Sequence, residues 1–274
     1  MNLKVRNKIA GAVYGFAIGD AMGATTEHLT KEQIKEIYGK VTDIIGGGWL
    51  QLEPGDVTDD TQMSICIMNA LMNSDKPDPM GFSFMTNCRK EFIEWHKTNP
   101  RGIGNQCNKA IIYMRQGHLG APQDINALGN GNLMRAMPCA VLGNELLNEF
   151  QGRMTHNNLE CVQGIQDYSR LIQNYINGKN LNNEIKSLLE PTGYLWNTFN
   201  NSVYWSNQET FEDAIIGAVN DGGDADTIAA LAGGLAGARF GYNAIPKKWI
   251  CQLNDDIKNI LNNFINFAFT YLQI

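Results

Sequence analysis

Apolar residues recur every three or four positions through most of the chain, a spacing typical of α-helices that bury one face. No run of alternating apolar and polar residues marks a strand. The predicted helices are Ile9–Gly23, Thr30–Tyr38, Thr61–Met72, Phe82–Lys97, Gly104–Gly117, Leu133–Phe150, Leu159–Asn177, Asn182–Leu189, a short one within 191–210, Phe211–Asn220, Ile228–Phe240 and one or two over Trp249–Tyr271. Loops are expected between them, notably at 120–132, which is rich in Gly, Asn and Pro. We therefore predict an all-α fold, a single compact many-helix domain over residues 1–274, without a linker or a repeat of roughly 20 to 50 residues.

Two of the predicted helices carry glycine at every fourth position. The two sets are Gly11, Gly15, Gly19, Gly23 and Gly233, Gly237, Gly241. Residues four apart lie on one face of a helix, so each set forms a ridge without side chains. Such a ridge lets a neighbouring helix approach closely, and tight helix packing is its simplest interpretation.

The composition excludes several classes of protein. The 274 residues carry a net charge of -6 with no basic patch, which argues against nucleic-acid binding. No uninterrupted apolar segment reaches the roughly 20 residues of a membrane span, and the N-terminus lacks a signal-peptide pattern. The six cysteines include no C-x-x-C pair, which disfavours a zinc ribbon or a disulfide scaffold. Buried thiols in a reducing cytoplasm are the expectation.

Two acidic clusters stand where buried helices are predicted to begin. Thr58-Asp59-Asp60-Thr61 precedes one small-residue helix and Asp224-Ala225-Asp226-Thr227 precedes another. One carboxylate at a helix N-terminus is favourable because it caps free N–H groups and meets the positive end of the helix dipole. Two neighbouring carboxylates repel each other, and buried like charges are unfavourable unless they are paired or bind a metal.

Together the clusters offer four carboxylates and several hydroxyls, which are hard oxygen ligands. Such a set suits Mg²⁺ or Mn²⁺, and it could hold two divalent ions, whereas the lack of nearby His and Cys argues against zinc. The alternative is that each cluster is only a helix cap. The spacing does not show whether the two clusters meet in space.

Glycine-rich segments precede two further helices. In Gly129-Asn130-Gly131-Asn132-Leu133-Met134-Arg135 the backbone N–H groups are free to receive phosphate. A turn followed by a helix cap explains the same residues. Gly104-Asn105 is a shorter example of the pattern.

Four motifs occur together and in order: G-D-A-M-G-A-T-T-E, T-D-D-T-Q-M after G-G-G-W-L, G-N-G-N-L-M-R and G-G-D-A-D-T. With this combination of motifs the chain resembles the ADP-ribosylglycohydrolase family and in particular its bacterial branch, the dinitrogenase reductase-activating glycohydrolases. The resemblance extends from about Lys8 to about Ile245. The resemblance implies an all-α fold around a centre of two divalent cations, Mg²⁺ or Mn²⁺.

The resemblance also implies roles for residues of this chain. The implied metal ligands are Thr58, Asp59, Asp60, Asp224, Asp226 and Thr227. The implied catalytic residues are Glu27, Asp59 and Asp60. The implied contacts of ADP-ribose are Gly104, Asn105, Asn130, Gly131, Asn132, Met134 and Arg135.

The implied activity is removal of ADP-ribose from a modified protein side chain, with arginine as the expected linkage. The expected partners are the ADP-ribosylated protein and possible regulatory proteins, and the chain is expected to be a cytoplasmic monomer. One departure concerns position 102, where that branch is expected to carry an acid with a catalytic role and this chain has Gly102. The alternatives are hydrolysis of free ADP-ribose derivatives or phosphoesters at the same centre, and a non-catalytic structural or binding relative.

Overall fold

The computed structural model describes residues 3–75, 78, 80–179 and 185–272, and within these residues it contains helices and no strand. The helices are α1 (Leu3–Gly23), α2 (Lys31–Tyr38), α3 (Asp59–Met72), α4 (Phe82–Lys97), α5 (Asn105–Arg115), α6 (Met137–Leu142), α7 (Glu145–Arg153), α8 (Leu159–Ile176), α9 (Leu195–Ser206), α10 (Phe211–Val219), α11 (Ala225–Phe240), α12 (Lys247–Gln252) and α13 (Asp255–Tyr271), with a 3₁₀ turn at Tyr242–Ala244. Their buried apolar residues form one continuous core. The predicted all-α, single-domain fold is confirmed.

Helices α1 and α11 form the centre of the molecule, and their glycine ridges face each other. A Cβ atom added to Gly15 would lie 2.3 Å from the carbonyl oxygen of Gly233, and one added to Gly237 would lie 1.9 Å from that of Gly11. These distances leave no room for even a methyl group. The glycines are therefore required because the two backbones touch directly.

The two central helices run antiparallel. Gly11 lies beside Gly237, whereas Gly23, at the end of α1, lies against Ala225, at the start of α11. The segment that follows α1 therefore starts beside the N-terminus of α11. This arrangement brings Glu27 to the acidic cluster that begins α11.

Helix α3 is attached to α1 through the buried side chain of Asp20. The Asp20 carboxylate accepts hydrogen bonds from the backbone N–H groups of Thr58 at 3.1 Å and Thr61 at 3.0 Å. Two N–H groups at the start of α3 thereby gain partners inside the core. The first acidic cluster is held at the same end of α1 as Glu27.

The helix predicted over Leu133–Phe150 is wrong, because the structure has two short helices there. Gly143 adopts φ +65° and ends α6, since a left-handed residue cannot continue a right-handed helix. The side chain of Asn144 accepts a hydrogen bond from the N–H of Leu147 and caps α7. Residues 133–136 form a turn before α6.

The other predicted helices match with shifted ends, with one exception. In the helix predicted over Asn182–Leu189, residues 185–189 are not helical, and 182–184 lie outside the described residues. The C-terminal segment forms two helices, α12 and α13. None of the helices described is both long and apolar enough to cross a membrane.

Replacing Gly237 with Ala tests the direct contact of α1 and α11. The added methyl group collides with a backbone atom that no rotamer change can move, so α1 and α11 must separate. We expect the free energy of unfolding to fall by about 3 kcal/mol, measured by urea denaturation. The matched control is Gly104→Ala, where φ is -62° and no atom lies within 4 Å of the added Cβ. That control should lower the free energy of unfolding by about 1 kcal/mol or less, because Gly104 is the N-cap of α5 and alanine is a poorer N-cap than glycine. Equal effects of the two substitutions would contradict the packing argument.

Candidate functional site

An open cleft of about 450 Å³ lies where α1 ends and α3, α5 and α11 begin. Loops and helix N-termini form its walls, so side chains and free backbone N–H groups point into it. The lining residues are Glu27, His28, Trp49, Asp59, Asp60, the segments 102–107 and 129–131, Met134, His156, Asp224, Asp226 and Thr227.

The cleft brings together the two acidic clusters and most of the other predicted site residues. Those that line it are Glu27, Asp59, Asp60, Gly104, Asn105, Asn130, Gly131, Met134, Asp224, Asp226 and Thr227. Thr58, Asn132 and Arg135 do not line it. Thr58 lies directly behind the wall, where its hydroxyl accepts a hydrogen bond from the backbone N–H of Asp60 at 3.2 Å.

The carboxylates in the cleft lie close together, and little positive charge offsets their negative charge. Oxygen atoms of Glu27, Asp224 and Asp226 all lie within 4.8 Å of one another. Burial and neighbouring carboxylates raise the pKa of Asp59 to about 8 and the pKa values of Asp60 and Asp226 well above their ordinary range. Among the described residues, no Lys or Arg side chain lines the cleft to offset these charges.

Individual oxygen atoms in this group lack partners. Oδ2 of Asp60 and Oδ1 of Asp226 are buried and form no hydrogen bond with the described residues. Buried acceptors without donors are unfavourable, and a cation satisfies several at once. The oxygen atoms available as metal ligands belong to carboxylates and hydroxyls, which hard divalent cations such as Mg²⁺ and Mn²⁺ prefer. The residues present can therefore hold a divalent metal.

Asn130 connects the glycine-rich loop to the acidic cluster. Its side-chain amide donates hydrogen bonds to the carboxylate of Asp224 at 2.5 Å and to the hydroxyl of Thr198 at 2.9 Å. The backbone N–H of Asn130 donates to the carbonyl of Gly193 at 3.0 Å. The loop and the N-terminus of α11 are thus fixed relative to each other.

Arg135 and Asn132, which the sequence assigns to substrate contacts, lie behind the loop with no exposed surface. The Arg135 guanidinium donates to the carbonyls of Gly131 and Gln151 and lies 5.0 Å from the ring centre of Phe92. The Asn132 amide donates to the carbonyl of Cys161 at 2.9 Å. The segment that carries them, 131–135, is a turn and not the start of a helix. In this position both side chains hold the loop from behind.

His156, which sequence reasoning missed, contributes a neutral imidazole ring to the cleft. Oγ1 of Thr155 accepts a hydrogen bond from Arg135 at 2.8 Å and lies 2.9 Å from Nδ1 of His156, so Thr155 links the two side chains. Burial and the charge of Arg135 lower the pKa of His156 to about 3. No motif in the sequence around Thr155 marks this residue.

Two more residues of the site were missed. Asp20 could have been found, because it is an acidic residue in the otherwise uncharged half of α1 that begins at Ile9. Trp49 follows three glycines and donates its indole N–H to Oε2 of Glu27 at 2.5 Å. Its position beside Glu27 depends on a long-range contact that sequence spacing does not show.

Comparison with known proteins identifies the family of this fold and cleft. The family model described as ADP-ribosylglycohydrolase matches residues 1–193 and 182–270. The chain belongs to the ADP-ribosylglycohydrolase family. The predicted family is confirmed, and the chain is a glycohydrolase enzyme.

Two relatives of this glycohydrolase have informative names. The chain is 35% identical to the ADP-ribosyl-[dinitrogen reductase] glycohydrolase of Rhodospirillum rubrum, with 91% of each chain covered. It is 29% identical to the ADP-ribosylarginine hydrolase Tri1 of Serratia proteamaculans, with 96% of this chain and 80% of the relative covered. A solved structure described as an ADP-ribosylglycohydrolase-related protein complex has a TM-score of 0.81 at 25% identity, covering 97% of this chain and 99% of the other.

Replacing Arg135 with Lys tests its role behind the loop. Lysine keeps the charge, but a single ammonium group cannot reach all the acceptors that the planar guanidinium contacts. Since carbonyls of Gly131 or Gln151 then lose a buried partner, we expect a loss of about 2–3 kcal/mol in the free energy of unfolding. Arg170→Lys is the control, because Arg170 is exposed and pairs with Asp167 on the surface. If urea denaturation gave equal losses of stability for Arg135→Lys and Arg170→Lys, the buried hydrogen bonds of Arg135 would contribute no more than the surface ion pair of Arg170.

The depressed pKa of His156 predicts a pH effect on stability. Unfolded histidine binds a proton below pH of about 6.5, whereas the folded protein leaves His156 neutral down to a pKa of about 3. The unfolded state therefore binds more protons, and stability falls as the pH drops below about 6.5. Between pH 6.5 and 5, wild type should lose about 2 kcal/mol more than His156→Gln. Parallel stability curves for the two proteins, measured by denaturation across this range, would contradict the assignment.

Proposed function

We propose that this enzyme removes ADP-ribose from a modified arginine side chain of a protein, using Mg²⁺ or Mn²⁺ held by the two acidic clusters. The observation that carries the proposal is the cleft itself. On one side of the cleft lie buried carboxylates with oxygen atoms that have no hydrogen-bond partner, and on the other side lies the glycine-containing loop at 129–131. The names of the relatives from Rhodospirillum rubrum and Serratia proteamaculans support a protein substrate and an arginine linkage.

The acidic clusters would hold two divalent cations. The proposed ligands are Asp59, Asp60, Asp224, Asp226 and Thr227, and Thr58 fixes the first pair by capping α3. When bound, such cations fix ribose hydroxyls and stabilise charge that develops at the glycosidic carbon. Asp59, Asp60 and Asp226 are buried, and their low-polarity surroundings would strengthen each electrostatic contact with a cation.

The opposite wall suits the pyrophosphate of ADP-ribose. Gly104 and Asn105 begin α5, and the first N–H groups of a helix are free to bind an anion. Gly131 and Met134 form the neighbouring surface. His156 adds a neutral imidazole ring, and because its pKa is lowered to about 3 its charge does not change in the physiological pH range.

Glu27 is the proposed general base. It lies at the cleft wall beside Asp224 and Asp226 and is partly open to solvent, so a water molecule can reach it. Burial raises its pKa, which strengthens the carboxylate as a base. The hydrogen bond from Trp49 orients the carboxylate. Glu27 would take a proton from the water whose oxygen forms a bond to the anomeric ribose carbon while the bond from that carbon to the guanidinium nitrogen breaks. The same proton would then pass to the departing guanidine, so that arginine leaves as its usual cation.

The test is release of free ADP-ribose from an arginine-ADP-ribosylated protein, followed by mass spectrometry of the product. Wild type should release intact ADP-ribose with Mn²⁺ or Mg²⁺, and a chelator should abolish the release. Asp60→Ala and Asp226→Ala should each reduce the rate at least about a hundredfold, since each removes a charge from the same centre. The control is Glu212→Ala, which removes an exposed acid from the first turn of α10 outside the cleft.

The possible results separate the competing activities. Fragments of ADP-ribose in place of the intact molecule would indicate a phosphoester hydrolase. Loss of activity in only one of the two Asp variants would show that the clusters do not act as one centre. Binding of Mn²⁺ without release from arginine would exclude the arginine linkage.

A further inference from the structure

Trp49 lies at the cleft with 49% of its surface exposed, although it is among the largest apolar side chains of the protein. Large aromatic side chains left half in solvent at a binding site are typical of ligand contacts, because they offer a flat, rigid surface. In the proposed function the indole N–H of Trp49 orients Glu27, and the flat face of the ring has no role.

The loop that carries Trp49 has a restricted backbone conformation. Gly46, Gly47 and Gly48, just before it, all have positive φ between 63° and 80°. A Cβ atom on Gly48 would lie 2.1 Å from the carbonyl oxygen of Ala24, and the hydroxyl of Thr25 donates to the carbonyl of Gly46 at 3.0 Å. The loop that carries Trp49 is therefore fixed to the segment that carries Glu27.

The two side chains form a unit at the edge of the cleft. The indole N–H of Trp49 donates to Glu27, and the ring of His28 lies 5.1 Å from the indole centre at an angle of 39°. A flat aromatic surface thus stands next to a carboxylate. Both features attract a planar cation.

The glycine at position 102 leaves space beside the indole of Trp49. Gly102 has φ +86°, and a Cβ atom there would lie 3.3 Å from Leu50 and 3.7 Å from Cζ2 of Trp49. A side chain at this position would be strained, and it would begin to cover the indole. The chain therefore offers no carboxylate at position 102 to pair with a cation, and no side chain at this position covers the indole.

We propose that Trp49 determines specificity for arginine: its exposed surface receives the guanidinium of the modified side chain, next to the carboxylate of Glu27. This inference rests on the proposed function, since it names the group that recognises the substrate in the same cleft. A guanidinium is planar, weakly hydrated and cationic, and it stacks on aromatic rings. A hydroxyl-linked ADP-ribose, as on serine, has no cation and gains nothing from this contact.

The first experiment compares kcat/KM for arginine-linked and serine-linked ADP-ribosyl peptides. Trp49→Phe and Trp49→Leu both lose the N–H that bonds Glu27, but only the Phe variant keeps an aromatic ring. The ratio of arginine to serine activity should fall about five- to thirtyfold in Trp49→Leu and much less in Trp49→Phe. Trp196→Leu is the matched control, because Trp196 donates its N–H to Glu160 at 3.0 Å outside the cleft.

The second experiment measures binding without turnover. Acetylarginine amide, or its uncharged analogue acetylcitrulline amide, is titrated into enzyme with saturating ADP-ribose and Mg²⁺. The readout is the indole N–H signal of Trp49 in the NMR spectrum, which Trp49→Phe identifies by its loss. The arginine probe should shift this signal and bind at least about fivefold more tightly than the citrulline probe.

The outcomes distinguish this inference from the proposed function. Equal ratios in Trp49→Phe and Trp49→Leu, or equal binding of the two probes, would overturn the role of Trp49. If wild type hydrolyses neither peptide, the proposed function fails, and the NMR titration alone decides whether Trp49 binds a guanidinium. A preference for the arginine probe, together with a fall in the arginine-to-serine activity ratio that is much larger in Trp49→Leu than in Trp49→Phe, would establish that Trp49 recognises the guanidinium.

Discussion

The direct contact between the backbones of α1 and α11 determines the rest of this structure. At the glycine positions the two helices meet without side chains between them, so their separation and relative register have almost no freedom. A shift of either helix by one residue would place a side chain against a backbone atom. The antiparallel register places the end of α1 beside the start of α11, and the loops at that end form the cleft. The positions of Glu27 and of the carboxylates of α11 are consequences of this contact.

The acidic centre shows how a fold can hold like charges together. Asp59 and Asp60 are held by the docking of α3 onto Asp20, and Asp224 is held by Asn130. Helix N-termini offset part of the negative charge, but they do not supply partners for the oxygen atoms that remain free. Core packing therefore opposes the mutual repulsion of the carboxylates, and a cation would relieve it.

Much of this could be predicted from the sequence, and the limits have physical reasons. The helical period predicts the all-α fold, and the position of acids before buried helices predicts the cation site. The glycine ridges predict close packing but not which helix is the partner, because spacing along one chain segment contains no information on its neighbour. The direction of Arg135 could not be predicted, since Arg135 lies in a turn at 131–135 where the apolar pattern predicts a helix from Leu133. The cytoplasmic location, the monomeric state and a regulatory partner stay predictions from the sequence.

The buried guanidinium of Arg135 has a consequence for the way a ligand arrives. No carboxylate in the described part of the chain pairs with it, so backbone carbonyls of the loop and of α7 provide its main compensation. Moving the loop would leave a full charge unsolvated in the core, and the loop is therefore rigid before any ligand binds. Association on this wall then involves little loss of chain entropy, because the ordering took place when the protein folded. Differences in affinity among ligands should arise from how well each fits this fixed surface, and not from rearrangement of the loop.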